Sequence, residues 1–423
     1  MAAMNESLLY HLWKHRLFSE HPLRTINGQS VEVINPGEQN PDAGPDFFNG
    51  RLKIDGTKWA GNIEIDVTSA DWYRHGHHTN KSFSKLILHV VYEYNKPVNH
   101  GIPVVELKHF ISDKVLMQYT NLQNSTLPIP CSNQLLTVDE VNLYSWLERM
   151  AIERFEQKAE WIHRLLNDNN FDWEKTFYIA LAKNFGFKIN AVPFEMLAYA
   201  TPLLTLARHK NNLLQLEALL FGQAGLLSES MDDTYYQNLV KEYKHLRIKF
   251  NLQAIDQSLW KFARMHPRNF PTIRLAQFAA LIHNSSHLFS KIKDTPHYKE
   301  LTALFESKPS PYWSTHYTFG NDSVNKVKSL GIDSINNILI NTIAPFLFLY
   351  GKLNDQSAYI EKAMQLLEHI KPENNVIIRI WNSLGVKAKN AFETQSLIQL
   401  KNVYCNKKQC LNCAIGIKIL KNI

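Results

Sequence analysis

Residues 40–78 read NPDAGPDFFNGRLKIDGTKWAGNIEIDVTSADWYRHGHH, and how this stretch folds decides the architecture. The runs 47–53 and 57–67 read as two strands joined by Asp55-Gly56, a dipeptide suited to a tight hairpin turn. Two loop lengths fit. A two-residue loop sets Phe47 opposite Glu64. A three-residue loop, Ile54-Asp55-Gly56 with Gly56 left-handed in a bulge, sets Asp46 opposite Glu64. Along the second strand Ile63, Ile65 and Val67 share one face, and Asn62, Glu64 and Asp66 the other. In the bulged register Asp46, Glu64 and Asp66 converge at the mouth of the hairpin. Like charges placed opposite each other are destabilising unless a cation lies between them. Oxygen ligands at this spacing suit Mg²⁺ (or Mn²⁺), and such an ion can activate water for attack on a phosphodiester. The alternative is a solvated polar face of an antiparallel sheet.

Outward from the hairpin, residues 5–18 read as a helix with Leu8, Leu9, Leu12 and Trp13 on one stripe. Strands are expected at 30–34, 85–94 and 103–107, with a turn-rich or short helical segment at 68–84. This is an α/β unit of about 110 residues. Beyond LPIPC at 127–131, apolar residues recur at helical spacing from about 138 to 400. The fold class is therefore α+β. An N-terminal mixed-sheet domain (1–125) precedes a large all-helical domain (126–400) and a cysteine-containing C-terminal segment (401–423).

The 423 residues suffice for two or three domains, and a hydrophobic share of 45% is ordinary for a soluble protein. No apolar run approaches the ~18–20 residues that span a bilayer, and the N-terminus lacks the apolar stretch of a signal peptide. A cytoplasmic protein with no membrane association is expected. The net charge of +7 and pI near 9.0 are compatible with a polyanionic partner such as nucleic acid. KFARMHPRNFPTIRLAQ places Lys261, Arg264, Arg268 and Arg274 within fourteen residues. These cations either grip phosphates or form salt bridges and cap carbonyls. DWYRHGHH offers Asp71, His75, His77 and His78 for zinc chemistry, for substrate binding or proton transfer beside the carboxylates, or as a polar loop. His89, inside LILHVV, reads as a satisfied core histidine, and Trp59 and Trp72 as packing residues. Cys405, Cys410 and Cys413 have C-x4-C-x2-C spacing, and Cys131 is the one cysteine left in the chain. Three thiolates need a fourth ligand for a closed zinc or iron–sulfur site. Without a metal they are buried apolar residues.

Pro45-Asp46, eighteen residues before Glu64-Ile65-Asp66, resembles the motif of the PD-(D/E)xK nuclease superfamily, and the inferred order of helix, three strands, helix and strand resembles its core. The resemblance implies a metal-dependent nuclease in which Asp46 and Glu64 hold Mg²⁺ and a lysine two residues on helps activate water. Asp66 occupies the lysine position, so Lys53, Lys58 or a nearby histidine (His75, His77) would have to supply that group. The departure also favours an alternative, a non-catalytic nucleic-acid-binding or scaffold protein on a degenerate nuclease fold. Some nucleases of that superfamily carry an iron–sulfur cluster on one early and three late cysteines, which implies the same use for Cys131, Cys405, Cys410 and Cys413. NPDAGPDF, GNIEIDVTSADWYRHGHH, LILHVVYEYN, RNFPTIRLAQ and YCNKKQCLNCAIG together resemble DUF2851, a bacterial family of uncharacterised proteins. That likeness implies a bacterial source and no particular activity.

Overall fold

A computed structural model describes residues 4–18 and 22–421 of the chain. The chain divides into two compact units. The first is Met1–Glu148 with Ser383–Gly385 and Ile398–Ile423, and the second is Arg149–Asn382 with Val386–Leu397. The segment carrying three cysteines therefore belongs to the same unit as the N-terminal sheet.

Helix α1 (Glu6–Lys14) begins where Asn5 accepts the Leu8 N–H at 2.9 Å, satisfying one of the free amides of the first turn. Its Leu8, Leu9, Leu12 and Trp13 are buried and join the apolar core of the sheet. The sheet comprises β1 (Leu23–Arg24), β2 (Ser30–Asn35), β3 (Glu38–Gln39), β4 (Phe47–Ile54), β5 (Thr57–Thr68), β6 (Leu86–Glu93) and β7 (Val104–Glu106). Strand order is β1-β2-β4-β5-β6-β7, with β3 also paired to β4. The pairings as far as β5 are antiparallel; β5–β6 and β6–β7 are parallel. The mixed sheet expected from the sequence is present, and the two-residue strands β1 and β3 are additions to it. Just after β1, Thr25 bridges Val105 and the Ile26 N–H reaches Val104 O at 2.9 Å, so the two ends of the sheet meet.

Of the two loop lengths, the hairpin takes the two-residue one, but without the Phe47–Glu64 pairing that went with it. Ile54 pairs with Thr57 across a two-residue turn in which Asp55 (φ 44°) and Gly56 (φ 85°) are both left-handed, as a type I′ turn requires. The extra residue lies further along β4. The pairing shifts between Phe47 and Gly50, where Asn49 is left-handed at φ 57°. This bulge sets Phe47 opposite Ile63 and brings Asp46 to Glu64, the neighbours that a Gly56 bulge would also have made.

The regular secondary structure of the second unit is helical among its described residues, apart from a small hairpin, His316–Thr318 with Asn321–Asp322. Its core is rich in packed aromatics: Phe177 stacks on Phe289, and Phe346 meets both edge-on. By length and composition the helical run Ile332–Leu353 could cross a membrane, contrary to the sequence-based expectation, but 67% of its apolar window is buried inside the protein.

Candidate metal centre

β5 carries the centre because it is flanked on both sides. Its burial pattern loses the alternation of a surface strand between Ile63 and Asp66. Ile63 and Ile65 face the apolar core, and Glu64 and Asp66 are only 3% and 1% exposed on the opposite face. A solvated polar face would leave them in water. Instead, elements on every side close over them.

From the β4 side, the Asp46 N–H donates to Glu64 Oε2 at 3.2 Å. The Asp46 carboxylate accepts the Ile65 N–H at 2.9 Å and the Tyr10 hydroxyl of α1 at 2.7 Å. From the β6 side, parallel pairing sets His89 beside Glu64, and His89 Nε2 lies 3.0 Å from Asp66 Oδ2. Its other ring nitrogen meets His100 Nε2 at 3.0 Å, and His100 Nδ1 accepts the Ile102 N–H at 3.1 Å. From above come helix α2 (Asp71–Arg74) and the turn after it. Gly76 at φ 76° reverses the chain so that His75 and His77 both point back to the sheet. His75 Nδ1 is 3.3 Å from Asp66 Oδ1; His77 Nδ1 is 3.1 Å from Glu64 Oε1 and 3.9 Å from Asp66 Oδ2. Trp72 packs against His77, His89, His100 and Phe83, and His77 stacks on Phe83 with centroids 4.3 Å apart. These rings fix the imidazoles in place.

The electrostatics call for a cation. Burial raises the Asp46 carboxyl to about 6. It raises Glu64 further, with the charges of Asp46 and Asp66 adding to the burial. Burial lowers the His77 imidazole, keeping it neutral and leaving a lone pair free to bind metal. The His77 Nδ1 is buried without a hydrogen bond; although 3.1 Å from Glu64 Oε1, it does not align with that oxygen as a donor. Two donors on adjacent corners of an octahedral ion with bonds of ~2.1 Å sit about 3.0 Å apart, so this spacing matches shared coordination. Donor atoms of Glu64, Asp66 and His77 all lie within 4.8 Å of one another, and those of Glu6, Asp66 and His75 do the same. The two groups share Asp66.

The structure therefore gathers Asp46, Glu64, Asp66, His75 and His77 at one place, but the donor groups are built on Asp66 and not on the Asp46/Glu64 pair. Both Asp46 oxygens already accept hydrogen bonds. Lys53 and Lys58 cannot stand in for the missing lysine. They pair with each other near the turn, six residues from Glu64 along β5, or about 20 Å at strand rise, and Lys53 faces Glu32 at 3.9 Å. His78 stays outside, against Tyr73. Arg264 and Arg268 are exposed in the helical unit. Arg274 does not face solvent as a phosphate ligand would. It is 5% exposed, bonded to Gln277, Asn269 and Ser334, and stacked on Phe187. The four cysteines are free thiols within the first unit. Glu6, Tyr10, His89 and His100 were not foreseen in this role. The i, i+4 spacing of Glu6 and Tyr10 was visible in the sequence, but α1 gave no sign that it packs on β5.

The chain belongs to the DUF2851 family, described as proteins of unknown function; the family model matches residues 6–376. The match contains every residue of the carboxylate–histidine centre and Cys131, and it ends before Cys405. Searches of curated proteins and of solved structures returned no significant match.

Proposed function

We propose that this protein is a metal-dependent phosphodiesterase acting on nucleic acid, with Glu64, Asp66 and His77 as the primary metal ligands and Mn²⁺ or Mg²⁺ as the cation. One observation carries the reading: two buried carboxylates and an imidazole nitrogen without a hydrogen bond converge at ligand spacing, with no lysine or arginine among the described side chains that pair with those carboxylates. Imidazole in the donor set tilts the preference from Mg²⁺ toward Mn²⁺. A bound divalent ion would lower the pKa of a water and offset charge developing on the phosphate.

The chain's own groups divide the remaining work. Tyr10 and the Ile65 amide hold Asp46 as a fixed acceptor beside Glu64. His89, backed by His100, holds one oxygen of Asp66. His75, whose side chain is 35% exposed, touches the other oxygen. Of the two histidines on this turn it is the more open to solvent, so it takes the proton-transfer role that lysine fills in the resembling nucleases. The basic net charge supports a polyanionic substrate.

The test is cleavage of single-stranded, duplex and branched DNA and RNA by the purified chain with Mn²⁺ or Mg²⁺, comparing wild type with Glu64→Gln. Metal-dependent cleavage abolished by Glu64→Gln is expected. Asp66 at the lysine position supports the competing reading of a non-catalytic nucleic-acid binder. Binding without cleavage of any substrate would favour that reading.

A further inference from the structure

Beyond the carboxylate centre, the β4–β5 hairpin carries a run of cations toward its turn. Lys53 pairs directly with Lys58, and Arg51 with Ala60, so the three cations share one sheet face. Alternation along β5 continues that face through Ala60 and Asn62 to Glu64. Like charges opposite each other in a sheet are destabilising, so the Lys53–Lys58 pair calls for an anion as the buried carboxylates call for a cation. The protein supplies little of it. Glu32 lies 3.9 Å from Lys53, with 69% of its own side chain exposed. Asp55, at the turn, is engaged by the Ser30 N–H and hydroxyl at 2.8 and 3.2 Å. Among the described residues, no hydrogen bond or ion pair reaches the side chains of Arg51, Lys58 or Lys85.

The same stretch of β5 is open. Residues 57–60 are exposed without alternation, in contrast to the buried run 63–66. β6 begins opposite Asn62, so residues 57–61 pair with β4 alone and their other edge is free. A cleft of about 730 Å³ lies here, lined by Glu38, Asn49 and Arg51 from β3 and β4, by Trp59 and Asn62 from β5, and by Lys85 just before β6. Glu38 is the one acid in that lining. Trp59, expected to pack, is 49% exposed, although its partner across the hairpin, Leu52, is fully buried. Exposed aromatic rings beside a basic groove are how proteins hold single-stranded nucleic acid: the cations follow the phosphates and the ring stacks on an unpaired base. Asn62 stands two residues from Glu64 on their shared face, about 7 Å at strand rise, so a strand lying in the cleft reaches the carboxylates.

We propose that this part of the hairpin is a track for single-stranded nucleic acid, with Arg51, Lys58 and Lys85 on its phosphates and Trp59 stacked on a base, leading the strand to Glu64 and Asp66. The track rests on the nuclease reading for what happens at its end, and its binding is measured apart from cleavage. The full chain in EDTA is titrated against a fluorescein-labelled oligothymidylate, and against the same strand paired with oligoadenylate, by fluorescence anisotropy over a range of salt. Each phosphate contact on a single strand contributes about 0.7 to the salt slope. The triple variant Arg51→Ala/Lys58→Ala/Lys85→Ala should therefore lower the slope by about 2, so that its gap from wild type widens roughly 100-fold for a tenfold fall in salt. Trp59→Ala should weaken binding roughly five- to 150-fold and leave the slope unchanged. All four side chains are exposed, so their removal leaves the fold intact. Tighter binding of the duplex, no binding of the single strand, or a slope that the triple variant leaves unaltered overturns the track. If wild type then still cleaves nucleic acid with Mn²⁺ and Glu64→Gln does not, the carboxylate centre stands without it. Single strand bound through these residues but left uncut with Mn²⁺ supports the track and refutes the catalytic reading.

Discussion

Glu64→Gln tests the centre through stability as well as activity. Glu64 is 3% exposed, its carboxyl is raised by burial and then by Asp46 and Asp66, and it accepts the Asp46 N–H through Oε2. Alanine would leave a cavity, so glutamine, which keeps the shape and the acceptor, is the cleaner change. A carboxyl whose folded pKa is raised above its unfolded value contributes stability below the unfolded pKa and loses it as pH rises toward the folded one. For Glu64 that loss begins near the ordinary value of 4.5 and continues through neutrality. Keeping such a group protonated near pH 7.5 costs ~1.4 kcal/mol per unit over about three units, roughly 4 kcal/mol as an upper bound. Glutamine carries no such cost. Metal-free Glu64→Gln should therefore be more stable than wild type near pH 7.5, by up to about 4 kcal/mol, with the advantage vanishing near pH 4. Added Mn²⁺ should reverse the order, since a ligand at 100 times its Kd stabilises by about 2.7 kcal/mol and the variant lacks one donor. Thermal or urea unfolding of the sheet unit, with EDTA and then with Mn²⁺, reads all of this. A metal-free variant that is no more stable than wild type, with a difference independent of pH, would refute the argument that these carboxylates are held against ionisation.

Three further outcomes are expected. His77→Ala should weaken Mn²⁺ binding at least tenfold by calorimetry, and His78→Ala, which removes only a contact with Tyr73, should leave it unchanged. Tyr10→Phe removes the hydroxyl bond to Asp46 Oδ1. Since hydrogen bonds to charged groups are worth about 1.5–3 kcal/mol, that much stability should be lost well above pH 6 and little near pH 4, where Asp46, raised to about 6, is protonated; urea unfolding across that range checks it. Arg274→Ala should destabilise the helical unit by roughly 2–4 kcal/mol by stranding its buried polar partners, whereas Arg264→Ala and Arg268→Ala should stay within about 0.5 kcal/mol and show up, if anywhere, in the salt dependence of nucleic-acid binding.

The strands of the first half were legible because residues 47–67 carry period-two patterning and a decisive Asp-Gly turn, and residues 86–93 a short apolar run. What was not legible was long-range. The bulge at Asn49 has no signature beyond an asparagine that tolerates a left-handed backbone, so the register came out right at Asp46 for the wrong local reason. His89 read as a core histidine, and it is fully buried. Yet its hydrogen bonds go to Asp66 and His100, which only the parallel pairing of β5 with β6 reveals. Arg274 sat in an apparently basic stretch, but its helix is buried on every face from Pro271 to Leu281, while Arg268 lies in the exposed turn before it. Short strands such as β1 and β3 are too brief for any pattern.

The centre's position follows from the change of strand direction at β5. On its β4 side the neighbour is antiparallel, so the chain enters from a hairpin and delivers Asp46 at the end of that hairpin away from the Asp55-Gly56 turn. On its β6 side the neighbour is parallel, so the chain must leave the end of β5, cross over and return. That crossover is where α2, His75 and His77 lie. One end of a single strand thus collects side chains from a hairpin partner, a crossover and a parallel neighbour, while α1 covers it with Glu6 and Tyr10. The geometry also accounts for Asp66. In a site where histidines from the crossover supply imidazole to the same cation, a lysine at position 66 would sit between His75, His77 and His89 and repel the ion they help to hold. An aspartate there meets His75 and His89 and joins the two donor groups. On the proposed function, the departure at position 66 is a change in how the cation would be held, with the proton-transfer role assigned to the crossover.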